Sequence, residues 1–295
     1  EVITTPYTFY ATIGAIVTAG AKPVFVDVDE DYNINVDKIE NKINKKTKAI
    51  LPVHWSGRIC NMKKIKMISS KYGVPIVEDA CHAISARYYK NFAGMFGDFG
   101  CFSLHPLKNL NVWGDGGFLI VKNKKQYQNL RLMRNHGLVS RNKNLIFGYN
   151  SRLDTIQAVV ANHLLKKIKN ITKKRIRNSL YLEKRLTFLN GLIFKERSKH
   201  LVEVFHLYEF RLQNSKLREP LVKYLRKNNI DAKIHYPIPM HLQPAAKKYS
   251  YKKGDFPICE KIAKSTVSLP VHEHLNKKNL DKMISKIKFF MNKES

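Results

Sequence analysis

The feature that most constrains this chain is the regular alternation of short apolar runs and amphipathic stretches over its first 140 residues. Helical spacing over Phe9–Thr18 ends at Gly20, and Pro23–Val28 follows as a short apolar strand. A helix over Val36–Ile43 precedes the strand Ala49–Val53. A second helix, Met62–Tyr72, precedes the strand Val74–Val77, which is closed by Glu78 and Asp79. Strand and helix exchanged at this pace predict a parallel sheet with helices on both faces. The runs Phe99–Leu104 and Gly117–Val121 lie too close together for a crossover helix, so part of the sheet is predicted to be antiparallel.

The second half changes character. Leu153–Ile168 predicts a long helix with Leu153, Ile156, Val160 and Leu164 on one face. In front of it Ser151-Arg152-Leu153-Asp154 matches a capping box. The basic stretch Lys166–Arg185 continues the helical pattern as a link. Beyond it come a strand over His206–Leu212, a helix over Glu219–Asn228, a strand over Asp231–Tyr236 and a last helix over Lys277–Met291. The expected fold is α/β. A large mixed-sheet domain occupies residues 1–170, and a linker helix with a small α+β domain occupies 171–295. With 295 residues, 44% of them apolar, the chain can bury a core in each.

The formal net charge of +30 would suit nucleic acid. The lysines are scattered, however, as in Lys45-Lys46-Thr47-Lys48 and Asn142-Lys143-Asn144, with no basic stripe interleaved with aromatics. They read as a background composition that gathers anionic substrates, and no nucleic-acid partner is expected. Charged residues interrupt every apolar run well short of the roughly 18 to 20 residues a membrane span needs, so no membrane association is expected. No signal-like segment is seen, and a cytoplasmic location is expected. None of the four cysteines is spaced C-x-x-C; they read as free thiols, and no metal site is expected. Neither G-x-G-x-x-G nor G-x-x-x-x-G-K-[ST] occurs, so dinucleotide and P-loop readings fail.

Functional groups of an open α/β sheet collect at the carboxyl ends of its strands. Asp79 and His82 stand just past one predicted strand; Ser103 ends the next apolar run, and Lys108 follows it. Singly these are weak signals. An aspartate after a strand is usually a helix cap, and a lysine in a loop is usually solvated. Together they offer an amine for an imine, an acid for a ring nitrogen and a hydroxyl for a phosphate, the parts that pyridoxal phosphate (PLP) chemistry uses.

The wider order of motifs is more specific. Glu78-Asp79-Ala80-Cys81-His82 is followed by Gly97-Asp98-Phe99-Gly100-Cys101-Phe102-Ser103, by His105-Pro106-Leu107-Lys108-Asn109-Leu110 and by Gly114-Asp115-Gly116-Gly117. Gly148-Tyr149-Asn150-Ser151-Arg152-Leu153-Asp154 comes next. Pro6–Thr12, Gly20–Asp27 and Ile234–Pro244 add to the series. In order and spacing it resembles the DegT/DnrJ/EryC1/StrS family of PLP-dependent sugar aminotransferases, over essentially the whole chain. The resemblance implies the aspartate aminotransferase-like fold (fold type I), PLP as cofactor and a homodimer. It also implies amino transfer, from L-glutamate in most relatives, to a nucleotide-linked keto-sugar for amino-sugar or surface polysaccharide synthesis. It makes Lys108 the cofactor-holding lysine and proton carrier, and Asp79 the partner of the pyridine nitrogen. His82 would touch the ring near its phenolic oxygen, Phe9 would pack on it, and Ser103 would bind the phosphate. Asn150 would reach the phosphate of the neighbouring subunit. Arg152 would reach an anionic group, and His235 and Tyr236 the nucleotide sugar.

Leu107 departs from the Thr, Ser or Gly common before the lysine. The family also carries a Gly-Thr helix start upstream that binds the cofactor phosphate. This sequence opens on Glu1-Val2-Ile3-Thr4-Thr5-Pro6 without an initiator methionine. It is therefore expected to lack that segment and to hold PLP less well. Three alternatives remain at this point: a sugar dehydratase, disfavoured because those enzymes replace the lysine with histidine; a regulatory or DNA-binding protein, supported only by charge; and an inactive fragment of the same fold.

Overall fold

The short apolar runs of the first half line up as one sheet in the computed structural model, which describes residues 1–294. Strands β1 (Val2–Thr4), β2 (Pro23–Phe25) and β3 (Ala49–Ile50) pair in parallel in the order β2-β1-β3. Single parallel bridges, Ile50 to Ile76 and Val53 to Asp79, join β3 to β4 (Val77–Asp79). A small hairpin, β5 (Arg87–Tyr88) and β6 (Asn91–Phe92), leads to β7 (Phe99–Ser103), which is parallel to β4. Strand β8 (Gly117–Val121) then runs antiparallel to β7, with Phe99 opposite Val121 and Ser103 opposite Gly117. The sheet is mixed, and its antiparallel member is the one that had no room for a crossover.

Helices α1 (Tyr10–Thr18) and α2 (Met62–Tyr72) form where periodicity and caps agree. Asn61 accepts the Lys64 N–H through its side chain, Gly73 closes α2 in the left-handed region (φ 65°), and Met62, Ile65 and Ile68 are buried. The predicted helix over Val36–Ile43 is instead two 3-10 turns, Val36–Lys38 and Glu40–Lys42. Asn35 caps the first tightly, and the chain is extended again at Ile43, too soon to offset the cost of an α-helical nucleus. Helix α3 (Lys124–Arg134), capped by Asn123, had no sequence assignment, and it buries no residue. The hairpin β9 (Leu138–Ser140) and β10 (Lys143–Asn144) follows.

The predicted helix over Leu153–Ile168 begins later and stops earlier, as α4 (Thr155–Leu165), before α5 (Ile168–Leu186). The capping box is not formed: Asp154 is the N-cap, without a side-chain bond, and Ser151 donates its N–H to Arg134 O instead. In the second half β11 (Leu192–Ile193), β13 (Tyr208–Leu212) and β14 (Thr266–Leu269) make a three-stranded antiparallel sheet in the order β11-β13-β14. Between them β12 (Leu201–Val202) returns to pair with β5. Helices α6 (Arg218–Lys227), α7 (Pro257–Ser265) and α8 (Lys277–Glu294) complete this half. The predicted strand over Asp231–Tyr236 is reduced to one bridge, Lys233 to Ser268. The His235 carbonyl accepts from the Tyr7 hydroxyl, and Pro237 and Pro239 lack N–H groups, so the ladder cannot continue.

One core gathers around Ile3, Val26, Ile50, Ile65 and Ile76, and a second around Leu182, Tyr208, Phe210, Leu225 and Ile287. A third sets Tyr7 and Trp55 of the first half against Phe256 and Ile262 of the second. The four cysteines are free thiols. Among the described residues no helix is long and apolar enough to cross a membrane.

Candidate active site

Alternation along β4 sends Glu78 into the core and Asp79 to the opposite side. The fully buried Glu78 accepts from His54 Nε2 (2.8 Å) and from the N–H groups of Gly94 (2.8 Å), Phe96 (2.6 Å) and Gly97 (2.5 Å). Burial pushes its pKa up, but His54 and these donors outweigh it and hold the carboxyl below the usual range. Glu78 thereby ties the loop 93–97 to the strand that carries Asp79. Asp79 Oδ2 accepts from the Thr12 hydroxyl at 2.7 Å and Oδ1 from Cys81 N–H at 3.1 Å.

Strand β7 delivers the lysine loop. Ser103 Oγ accepts from His105 N–H (3.2 Å), and Lys108 N–H donates to His105 O (2.8 Å). Asn109 is buried and donates to Val204 O at 3.1 Å, while Asn111 donates to Lys108 O at 3.0 Å. The lysine backbone is thus held on both sides while its side chain enters the cavity. Burial pulls the ammonium below the ordinary lysine range, partly offset by Cys81 and Asp79. Close backbone approach is needed beside this loop, because a Cβ on Gly117 would lie 2.7 Å from Phe102 O.

Lys108, Asp79, His82, Ser103, Phe9, His235 and Tyr236 line one cavity of about 430 Å³. The structure therefore brings together seven of the nine predicted site residues. Phe9 and Tyr236 form one wall, with ring centroids 5.7 Å apart. Asn150 and Arg152 lie elsewhere. Asn150 is exposed and bridges to Asn135, and Arg152 donates to Asn135 Oδ1 at 2.8 Å in a surface cleft with Arg131 and Arg134.

Three participants were not singled out from sequence. His206 packs against His82 with centroids 4.2 Å apart and ring planes tilted by 37°. Ser56 N–H points at His82 Nδ1 (3.3 Å), which places the neutral ring's proton on Nε2, and His206 Nδ1 faces Asn109 Oδ1 at 3.4 Å. Burial drives both imidazoles far below their ordinary range, with Lys108 adding to it. Thr8 and Thr12 are the other two. They stood inside the segment Pro6–Thr12, but no spacing pairs a threonine with an aspartate 67 residues away. Behind the site, the fully buried Trp55 packs edge-on to His82 (5.4 Å) and donates Nε1–H to Glu209 at 2.9 Å.

A buried amine whose pKa is lowered by burial, a carboxylate on the same cavity, aromatic walls and a hydroxyl at a strand end fit a phosphorylated pyridine aldehyde. Lys108 could hold its aldehyde carbon, Asp79 its ring nitrogen and Ser103 its phosphate.

The chain is similar to known proteins along almost its whole length. The chain is 36% identical over 293 residues to a pleiotropic regulatory protein of Geobacillus stearothermophilus, covering 98% of this chain and 78% of that protein. It is 34% identical over 290 residues to the UDP-N-acetyl-3-dehydro-alpha-D-glucosamine 3-aminotransferase of Acidithiobacillus ferrooxidans, covering 98% and 77%. Its fold matches the crystal structure of S. venezuelae DesV in complex with a ketimine intermediate, with a TM-score of 0.94 and 31% identity, over 99% of this chain and 78% of that one. The model of the DegT/DnrJ/EryC1/StrS aminotransferase family matches residues 1–288, and the chain belongs to that family.

Proposed function

We propose that this protein is a PLP-dependent aminotransferase that moves an amino group from L-glutamate to a keto-sugar carried on a nucleotide. The observation that carries the reading is that Lys108 and Asp79 line one cavity, with burial holding the lysine amine below its ordinary pKa. The nucleotide-sugar class is supported by the Acidithiobacillus relative, whose name specifies a UDP-linked amino sugar. The dehydratase reading, in which a histidine replaces the lysine, is disfavoured by Lys108 itself.

When bound, the cofactor supplies an electron sink for negative charge developing on the substrate carbon. The chain's own residues do the rest. Lys108 Nζ holds the cofactor and then carries the proton to and from that carbon. Asp79 keeps positive charge on the ring nitrogen. His82, with its proton on Nε2, would donate to the phenolic oxygen on the cofactor ring, and Phe9 would pack against the ring. Ser103 Oγ binds phosphate. His235 and Tyr236, on the lining of the same cavity, would contact the nucleotide sugar. Asn150 and Arg152, which do not line this cavity, are assigned to the cavity of a second subunit in a homodimer, at the phosphate and at an anionic substrate group. Residues 1–170 and 171–295 are read as the large and small domains, with α5 as linker.

Borohydride reduction of the PLP-loaded protein, followed by peptide mapping, should place the cofactor on Lys108, and Lys108→Ala should abolish both the label and amino transfer. A label on another lysine with Lys108 unmodified would overturn the assignment.

A further inference from the structure

Asp79 reaches the cavity with one oxygen already engaged from behind. Thr12, in the first turn of α1, sets its Oγ1 2.7 Å from Asp79 Oδ2, and Thr8 Oγ1 lies 2.7 Å from Thr12 Oγ1. Both threonines are buried, at 3% and 6% exposure. Counting hydrogens gives the direction. An ionised carboxylate only accepts, so the Thr12 hydroxyl hydrogen points at Asp79. That hydroxyl has no second hydrogen, so Thr8 is the donor in the contact between the threonines. The relay runs one way, Thr8 to Thr12 to Asp79, and each bond polarises the next. Cys81 N–H restrains the other carboxylate oxygen at 3.1 Å. The same helix start presents Phe9, at the N-cap, to the cavity. One short segment therefore carries both an aromatic wall and the clamp on the carboxylate.

We propose that Thr12 is a positioning residue that holds the Asp79 carboxylate in register with the ring nitrogen of the bound cofactor, with Thr8 orienting the Thr12 hydroxyl. The proposal rests on the reading of Asp79 as the ring-nitrogen partner. Thr8 and Thr12 border the same cavity, and the role proposed for Thr12 is exercised through its hydrogen bond to Asp79. A hydroxyl at this position is required, whereas a methyl of the same shape leaves the carboxylate restrained on the Cys81 side alone.

The test compares two ligands, PLP and its analogue with CH in place of the ring nitrogen, by their dissociation constants in the protein and its variants. The parent should prefer PLP. Thr12→Val should lose about tenfold of that preference, the size of one hydrogen bond to a charged group, while its affinity for the analogue stays unchanged. Thr12→Ser should recover to within about threefold of the parent, and Thr8→Val should lose about threefold. An unchanged preference in Thr12→Val would overturn the proposal, as would equal weakening of both ligands, the signature of a general packing role. If Thr12→Val does not fold, Thr8→Val decides by the same comparison. Asp79→Asn separates the two ideas. If it leaves the parent's preference intact, the reading of Asp79 fails and the relay with it. If it removes a preference that the threonine variants keep, the relay alone fails.

Discussion

At the residue scale, Asp79 and His82 leave the same strand end with different electrostatics. In the proposed function Asp79 acts through charge at the ring nitrogen of the cofactor. Asp79→Asn keeps the shape and loses the charge, so we expect turnover at saturating cofactor to fall on the order of a hundredfold, as for other essential electrostatic groups. Steady-state kinetics with cofactor in excess check this, and near-normal turnover would refute the role. The histidine pair makes a different prediction, about stability. Burial keeps His82 and His206 neutral in the native state, whereas unfolded imidazoles take up protons near about pH 6.5. Below that pH the unfolded chain binds more protons than the native one. Stability is therefore complete above it and falls as pH drops, by up to about 1.4 kcal/mol per pH unit for each histidine. His235, His241 and His272 are lowered as well and add to the slope. His206→Gln should remove about one histidine's share of it. Urea unfolding of parent and variant at pH 7.5, 6.5 and 5.5 would measure this, and identical slopes would exclude a neutral buried His206.

At the element scale, the site depends on how closely β7 approaches the loop in front of it. A Cβ on Gly100 would meet Gly94 O at 2.2 Å and Gly94 Cα at 2.5 Å, and both are backbone atoms that cannot rotate aside. Gly94 has a positive φ of 79°, and its N–H bonds Glu78, the neighbour of Asp79. Gly100→Ala should therefore destabilise the protein by about 1–3 kcal/mol, the usual cost of overpacking, and lower cofactor affinity by loosening the ends of β4 and β7 together. Denaturant melts and cofactor titration check the two effects. Elements also show where sequence reading was sound and where it failed. The sheet strands and α2 were legible because apolar period and caps coincide there. The Ser151–Asp154 capping motif was present as a pattern but unused, because Ser151 is held by Arg134 O. The helix over Val36–Ile43 failed for want of length, and α3 escaped notice because it buries no side chain that would mark a period.

At the scale of the whole molecule, several large apolar side chains are left exposed. Trp113 is 78% exposed, Leu107 69% and Phe147 99%, and Tyr149, Ile156 and Val159 are exposed as well. Several of these adjoin Asn150 and Arg152 in sequence, or the lysine loop. The proposed homodimer would cover such side chains and bring Asn150 to the cofactor phosphate of its partner. Mixing Lys108→Ala with Asn150→Ala protein should then restore roughly a quarter of parent activity under random exchange, since each mixed dimer carries one intact site. No recovery despite proven exchange would rule out the shared site. The sequence by itself determined the alternating α/β order, the mixed sheet and the candidates at strand ends, since period, turn residues and motif order are local properties of the chain. It also carried Lys108 and Asp79, because their neighbours form an ordered series. Only the tertiary structure decided which candidates share a cavity, that Asn150 and Arg152 stand apart from it, and that Thr12 and His206 belong beside it. Those relations depend on distances between residues far apart in the chain, set by how the sheet and the second half of the molecule pack, and no local pattern encodes them.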